Sequence, residues 1–130
     1  MKANDFKETI DTYKACIDIL KSAGATIIDY FDEAKDDDLI KDFEMNLWFN
    51  DDGCGLAIKP ARKEKEDNPF NFPLGLSLYP LYSRGTLRVT FFFGPIKKEK
   101  TLNLKDQCSL KIITMFAVTL QTLEEKLFNK

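Results

Sequence analysis

Phe43-Glu44-Met45-Asn46-Leu47-Trp48-Phe49 alternates in apolar character, Asn50-Asp51-Asp52-Gly53 follows it, and Cys54-Gly55-Leu56-Ala57-Ile58-Lys59-Pro60 resumes the pattern. Side chains of a strand point to opposite faces at a period of two, so this stretch predicts two strands, each with one apolar face. Asp-Gly is a favoured pair for a tight hairpin turn. A two-residue turn there sets Phe49 opposite Leu56 and Leu47 opposite Ile58, and both strands then bury the same face.

A second hairpin lies downstream, from Leu74 to Tyr82, through Arg84-Gly85, to Thr86–Phe93. Taking Arg84-Gly85 as the turn pairs Tyr82 with Leu87, Leu78 with Phe91 and Leu76 with Phe93. One face is again wholly apolar, so register and pattern support each other. Pro80 has no N–H to donate and predicts an edge position or a bulge. The link from Ala61 to Phe72, with Arg62-Lys63-Glu64-Lys65-Glu66-Asp67 and Asn68-Pro69, reads as an exposed connection. Gly94-Pro95 reads as the end of the last strand, and Lys97-Lys98-Glu99-Lys100 as a charged loop.

Helical spacing brackets this four-strand meander. Phe6, Ile10, Tyr13, Ile17, Leu20, Gly24, Ile27 and Phe31 recur at steps of three and four, with Cys16, Ala23 and Tyr30 widening the stripe and lysines and acids opposite it. Gly24 followed by Thr26-Ile27-Ile28 allows a stop and a short strand. The unbroken spacing favours one helix from about Asp5 to Glu33, some 43 Å long at 1.5 Å per residue. A second helix follows Asp106, carrying Leu110, Ile113, Phe116, Leu120, Leu123 and Leu127. The expected architecture is a single α+β domain over residues 1–130: long N-terminal helix, four-stranded antiparallel meander of two hairpins, and C-terminal helix packed on the sheet.

Composition bounds the chemistry. The 130 residues include eleven Phe, no His and a net charge of −2, enough apolar material for a core. Met1-Lys2-Ala3-Asn4-Asp5 leads straight into a charged amphipathic stretch, and no apolar run nears the ~18 residues of a membrane span, so a cytoplasmic protein is expected. Without histidine there is no Ser-His-Asp or Cys-His catalysis and no His-ligated metal. No phosphate-binding G-x-x-x-x-G-K-[ST] or dinucleotide G-x-G-x-x-G is present. Asp42 and Glu44, Asp51-Asp52 and Asp36-Asp37-Asp38 read as a solvated strand face, a turn and a helix boundary. Cys16, Cys54 and Cys108 are scattered and read as small buried hydrophobes. No enzyme activity and no cofactor is expected.

One surface stands out. On the strand faces away from the aliphatic core lie Glu44, Asn46, Trp48, Ala57, Lys59, Ser77, Tyr79, Arg88, Thr90 and Phe92, with Arg84 at the hairpin tip. Trp, Tyr and Arg are the types enriched at binding hot spots. If a helix covers this face, the aromatics are instead a second core. Left open, it is a candidate partner-binding surface formed by Trp48, Glu44, Lys59, Tyr79, Arg88, Phe92 and Arg84. Capture of a nucleotide or single-stranded nucleic acid is the alternative, with Lys97, Lys98, Lys100 and Lys105 as a basic rim. The acidic total and the acids on the same face weigh against nucleic acid. The long helix outreaches the sheet, so its apolar stripe also predicts a homodimer through that helix.

Small size, acidic balance, flanking helices and an antiparallel sheet are together similar to type III secretion chaperones, contact-dependent immunity proteins and small phage inhibitors of bacterial defence. The likeness is one of composition and carries no shared motif. It implies a class, a non-enzymatic module that binds and occludes a partner protein, and no residue roles. Sixteen lysines against three arginines fit a low-GC bacterium or its phage.

Overall fold

The three-and-four spacing of the N-terminal third produces one unbroken helix, α1 (Ala3–Asp36), in a computed structural model that describes residues 3–63, 67–81 and 85–128. Five strands follow: β1 (Ile40–Asn50), β2 (Gly53–Arg62), β3 (Leu74–Leu81), β4 (Thr86–Phe93) and β5 (Ile96–Asn103), with a 3-10 turn η1 (Pro69–Asn71) between β2 and β3. Helix α2 (Cys108–Phe128) completes the order. The fold is α+β, an antiparallel sheet ordered β1-β2-β3-β4-β5 with both helices packed against it.

Gly24 does not end α1. A Cβ at this position would sit 3.5 Å from Leu56 Cδ2, an ordinary contact, so the glycine lies where the helix crosses β2. Cys16, Leu20, Ala23, Ile27, Phe31 and Ala34 are the buried stripe. Phe6 and Ile10 remain exposed at the far end, where the helix outreaches the sheet. Asp38, with φ of 63°, turns the chain out of α1 toward β1, and Lys63 of the β2 end pairs with its carboxylate.

The fifth strand corrects the four-strand expectation. Phe93 pairs with Ile96 across Gly94-Pro95, so these two residues are a hairpin turn and not a terminus. Gly94 has φ of +60°, the first-position glycine that a type II′ turn needs. The presumed loop Lys97–Lys100 is ladder-paired to β4, from Phe92↔Lys97 to Val89↔Lys100. Its lysines sit on an edge strand, where charge blocks further strand addition, and their aliphatic stems tolerate the sheet.

Both hairpin registers lie two residues from those expected. Leu47 faces Leu56, and Phe49 faces Cys54, because the turn is Asp51-Asp52 and not Asp52-Gly53. Asn50 Oδ1 accepts hydrogen bonds from the N–H groups of Asp52 (2.8 Å) and Gly53 (3.1 Å), fixing the tighter turn. Gly53 is needed for another reason: a Cβ there would lie 2.0 Å from the Leu78 carbonyl oxygen of β3. In the second hairpin Leu78 faces Val89 and Leu76 faces Phe91, while Leu87 faces Pro80. Tyr82, expected opposite Leu87, lies outside the described residues. A two-residue slip preserves the face, so the apolar sides were placed correctly by a wrong register.

Pro80 is in a central strand, against the edge expectation. The β2–β3 pairing ends at Cys54↔Leu78, so Pro80 has no β2 residue asking for its missing N–H. The Ala61–Phe72 link is not wholly exposed either, since Pro69, Phe70 and Asn71 are buried. Phe70 meets Phe31 edge-on at 5.3 Å. Phe93 joins both helices to the sheet, with Phe31 at 6.0 Å and Phe116 stacked at 5.7 Å. The helices therefore share one face. Among the described residues no helix is long and apolar enough to cross a membrane.

Candidate functional site: the open sheet face

The face opposite the helices is built on two glycines. Gly55 pairs with Trp48, and a Cβ on it would fall 2.2 Å from Trp48 Nε1. Gly75 pairs with Phe92, and a Cβ on it would fall 2.0 Å from the Phe92 ring. Each ring thus lies down across the bare backbone of the neighbouring strand, filling the side-chain space glycine leaves. The result is a flat, partly aromatic surface with its rings held in place.

From Trp48 a line of contacts crosses the sheet. Its ring lies 5.8 Å from that of Tyr79, tilted by 39°. The Arg88 guanidinium, directly cross-strand from Tyr79, stands 5.2 Å from the tyrosine centroid. Arg88 Nε also lies 3.5 Å from Glu99 Oε1 on β5, with both side chains half exposed. An exposed pair of this kind contributes little to stability, but it sets the direction of the guanidinium. Phe92 is 39% exposed on the same face.

The expected site therefore splits. Trp48, Tyr79 and Arg88 are in contact, and Phe92 lies beside them over Gly75. Glu44 and Lys59 are paired across β1 and β2, four residues along β1 from Trp48, about 13 Å away at 3.3 Å per residue. They border a shallow depression of about 250 Å³ with Asp42, Phe43, Pro60 and Ala61. The Phe43 N–H, then Lys35 at 3.2 Å, hold the Asp42 carboxyl below its usual range. Arg84 lies outside the described residues. Among the described residues no helix covers the face, so the aromatics are not a second core. Among the described residues no group of three or more His, Cys, Asp or Glu is arranged to hold a metal ion.

Two features were not visible in the chain. The first is on the helix side of the sheet. Met45, Leu47 and Phe49, expected to be buried, are 46%, 55% and 51% exposed. With Ile17, Leu20, Lys21, Gly24, Ala25 and Ile28 of α1 they line a largely apolar groove of about 330 Å³. The reason is placement: α1 crosses from β1 to β3 and α2 packs on α1, η1 and β5, so the flank of β1 beside α1 is uncovered. Alternation alone cannot distinguish a buried edge strand from this one. The second feature is the Cys16–Cys54 contact, Sγ to Sγ 3.5 Å with no exposed surface on either residue, joining α1 to β2. The hydrogen bond to Cys54 and then burial push the Cys16 thiol far above its ordinary value. Both residues fall on predicted apolar faces, but 38 positions separate them.

Comparison with protein-family models, with curated proteins and with solved structures finds no match to this chain.

Proposed function

We propose that this protein is a non-enzymatic interaction module, of the immunity, inhibitor or chaperone type, that holds a partner protein on its open sheet face. The observation that carries this reading is the Trp48–Tyr79–Arg88 contact line on a sheet face that no helix covers. The rings are already immobilised over glycine and over each other, so docking costs little side-chain entropy. Tryptophan, tyrosine and arginine offer apolar area with a polar tip, the combination that dominates protein–protein hot spots. A nucleic-acid platform is less well supported, because Arg88 is engaged by Glu99 and the same face carries Glu44.

The test is site-directed photocrosslinking in the native host. A benzophenone amino acid at Thr101, exposed on this face opposite Arg88, is compared with one at Gln121, exposed on α2. One defined protein adduct should form from Thr101 and not from Gln121. Arg88→Ala should weaken that adduct at least tenfold, about 1.4 kcal/mol, without changing the unfolding midpoint. Equal labelling from both positions, or indifference to Arg88→Ala, would overturn the assignment.

A further inference from the structure

We infer that β1 is a self-pairing edge, and that two copies of the chain join β1 to β1 antiparallel, with the two-fold axis at Asn46, forming a ten-stranded sheet. This goes beyond the proposed partner surface, which lies on the other side of the sheet.

The two edges of the sheet are treated differently. On the helix side, β5 presents Lys98 and Lys100, an arrangement that discourages strand addition. The corresponding positions of β1 are Met45, Leu47 and Phe49, half exposed along the longest strand of the sheet. The bulge between Ile40 and Asp42 limits strand addition to Phe43–Asn50, a stretch with no lysine or proline.

Register selects a copy of the same strand. Asn50↔Gly53 closes a two-residue turn, so the even-numbered residues of β1 bond toward β2 and Phe43, Met45, Leu47 and Phe49 direct their N–H and C=O groups outward. A two-fold pairing must therefore match odd with odd. Centred on Asn46, it sets Phe43 against Phe49 of the second copy and Met45 against Leu47, and brings Lys41, at the bulge, near Asp51 in the turn. Centred on Leu47, it would set Phe43 against Asp51 and Asp42 against Asp52, a like-charge contact. Only the first arrangement matches apolar with apolar and opposite charges at both ends.

The helices leave room for it. Where each α1 lies over its β2, the two helices would be three strand spacings apart, about 14 Å. That exceeds the 8–10 Å of directly packed helices. Met45, Leu47 and Phe49 of both copies occupy the gap, roofed by Ile17, Ala25 and Ile28 of each α1. The joined seam also sets Trp48 beside Glu44 of the second copy, so the two open faces become one.

Sedimentation velocity across a concentration series, with an oxidative crosslink, tests the pairing. The wild type should show a monomer–dimer equilibrium. Leu47→Lys, at a position half exposed in the single chain, should raise the dimer dissociation constant at least tenfold with an unchanged thermal midpoint. Lys41→Asp should also weaken the dimer, and Lys41→Asp with Asp51→Lys should restore it. At the axis, Asn46→Cys faces itself in a non-hydrogen-bonded pair about 4.5 Å apart at Cα, within disulfide reach. Mild oxidation should link it into dimers, while Glu44→Cys should stay monomeric. A wild type that remains monomeric at the highest attainable concentration overturns the proposal. So does a dimer that survives Leu47→Lys without an Asn46→Cys crosslink. The Thr101 adduct is read separately in the Leu47→Lys monomer, so the failure of either proposal is distinguishable from failure of the other.

Discussion

A glycine on a sheet face leaves a hole, and here Trp48 and Phe92 fill two of them, over Gly55 and Gly75. Side-chain alternation revealed the face these rings belong to but not their posture, which depends on which residue sits across the ladder. Cys16 and Cys54 make the same point inside the core. Each was legible as a small buried hydrophobe, yet their 3.5 Å contact depends on where α1 crosses β2. The contact has a measurable consequence. The Cys16 thiol is raised in the folded chain, so the folded state keeps a proton that the unfolded state releases above the ordinary thiol value. Stability from this source is complete below that value and is lost as pH rises past it. Denaturant titrations should show unfolding free energy falling with pH above about 9, the ordinary cysteine value. The double variant Cys16→Ala, Cys54→Ala should fall less steeply, because it has no Cys16 proton to retain. Equal slopes would contradict the placement of the pair.

At the scale of elements, periodicity was a better guide than punctuation. Gly24 and the β-branched residues after it offered a helix stop, while the three-and-four spacing ran through them, and α1 follows the spacing because its stripe is buried on both sides of Gly24. Gly24→Ala tests this. An alanine Cβ meets only an ordinary contact at Leu56, and mid-helix alanine is favoured over glycine by about 0.5–1 kcal/mol. The variant should unfold at a higher denaturant midpoint; a loss of stability would mean the helix is interrupted there. Punctuation misleads more at Gly94-Pro95, a turn that reads as an end, and so β5 reads as a loop. Four charges in Lys97–Lys100 hid a strand whose apolar members, Ile96 and Leu102, lie at its ends. The two-residue errors in hairpin register have a related cause. Alternation is blind to slips of two, and the Asn50 side-chain bonds that choose the turn are local chemistry the pattern does not contain.

For the molecule as a whole, the type, order and apolar faces of every element but η1 and β5 could be read from the chain, because an apolar face per element dictates them. The two sides of the sheet could not be so read. Whether helices sit on one side or both is decided by how the links run, and it determines the status of Trp48, Tyr79, Arg88 and Phe92. With both helices on the Phe93 side, those four form an open surface, and the same economy leaves Met45, Leu47 and Phe49 uncovered beside α1. A face open to a partner, rather than roofed by the chain itself, is the claim on which the functional reading stands. Trp48 is the single tryptophan of the sequence, so its fluorescence reports on that face alone. Quenching by acrylamide in the native state, compared with the unfolded chain, measures it most directly. The native emission should be red-shifted, with substantial quenching that falls when the partner is added. A blue-shifted emission that acrylamide barely quenches would contradict it.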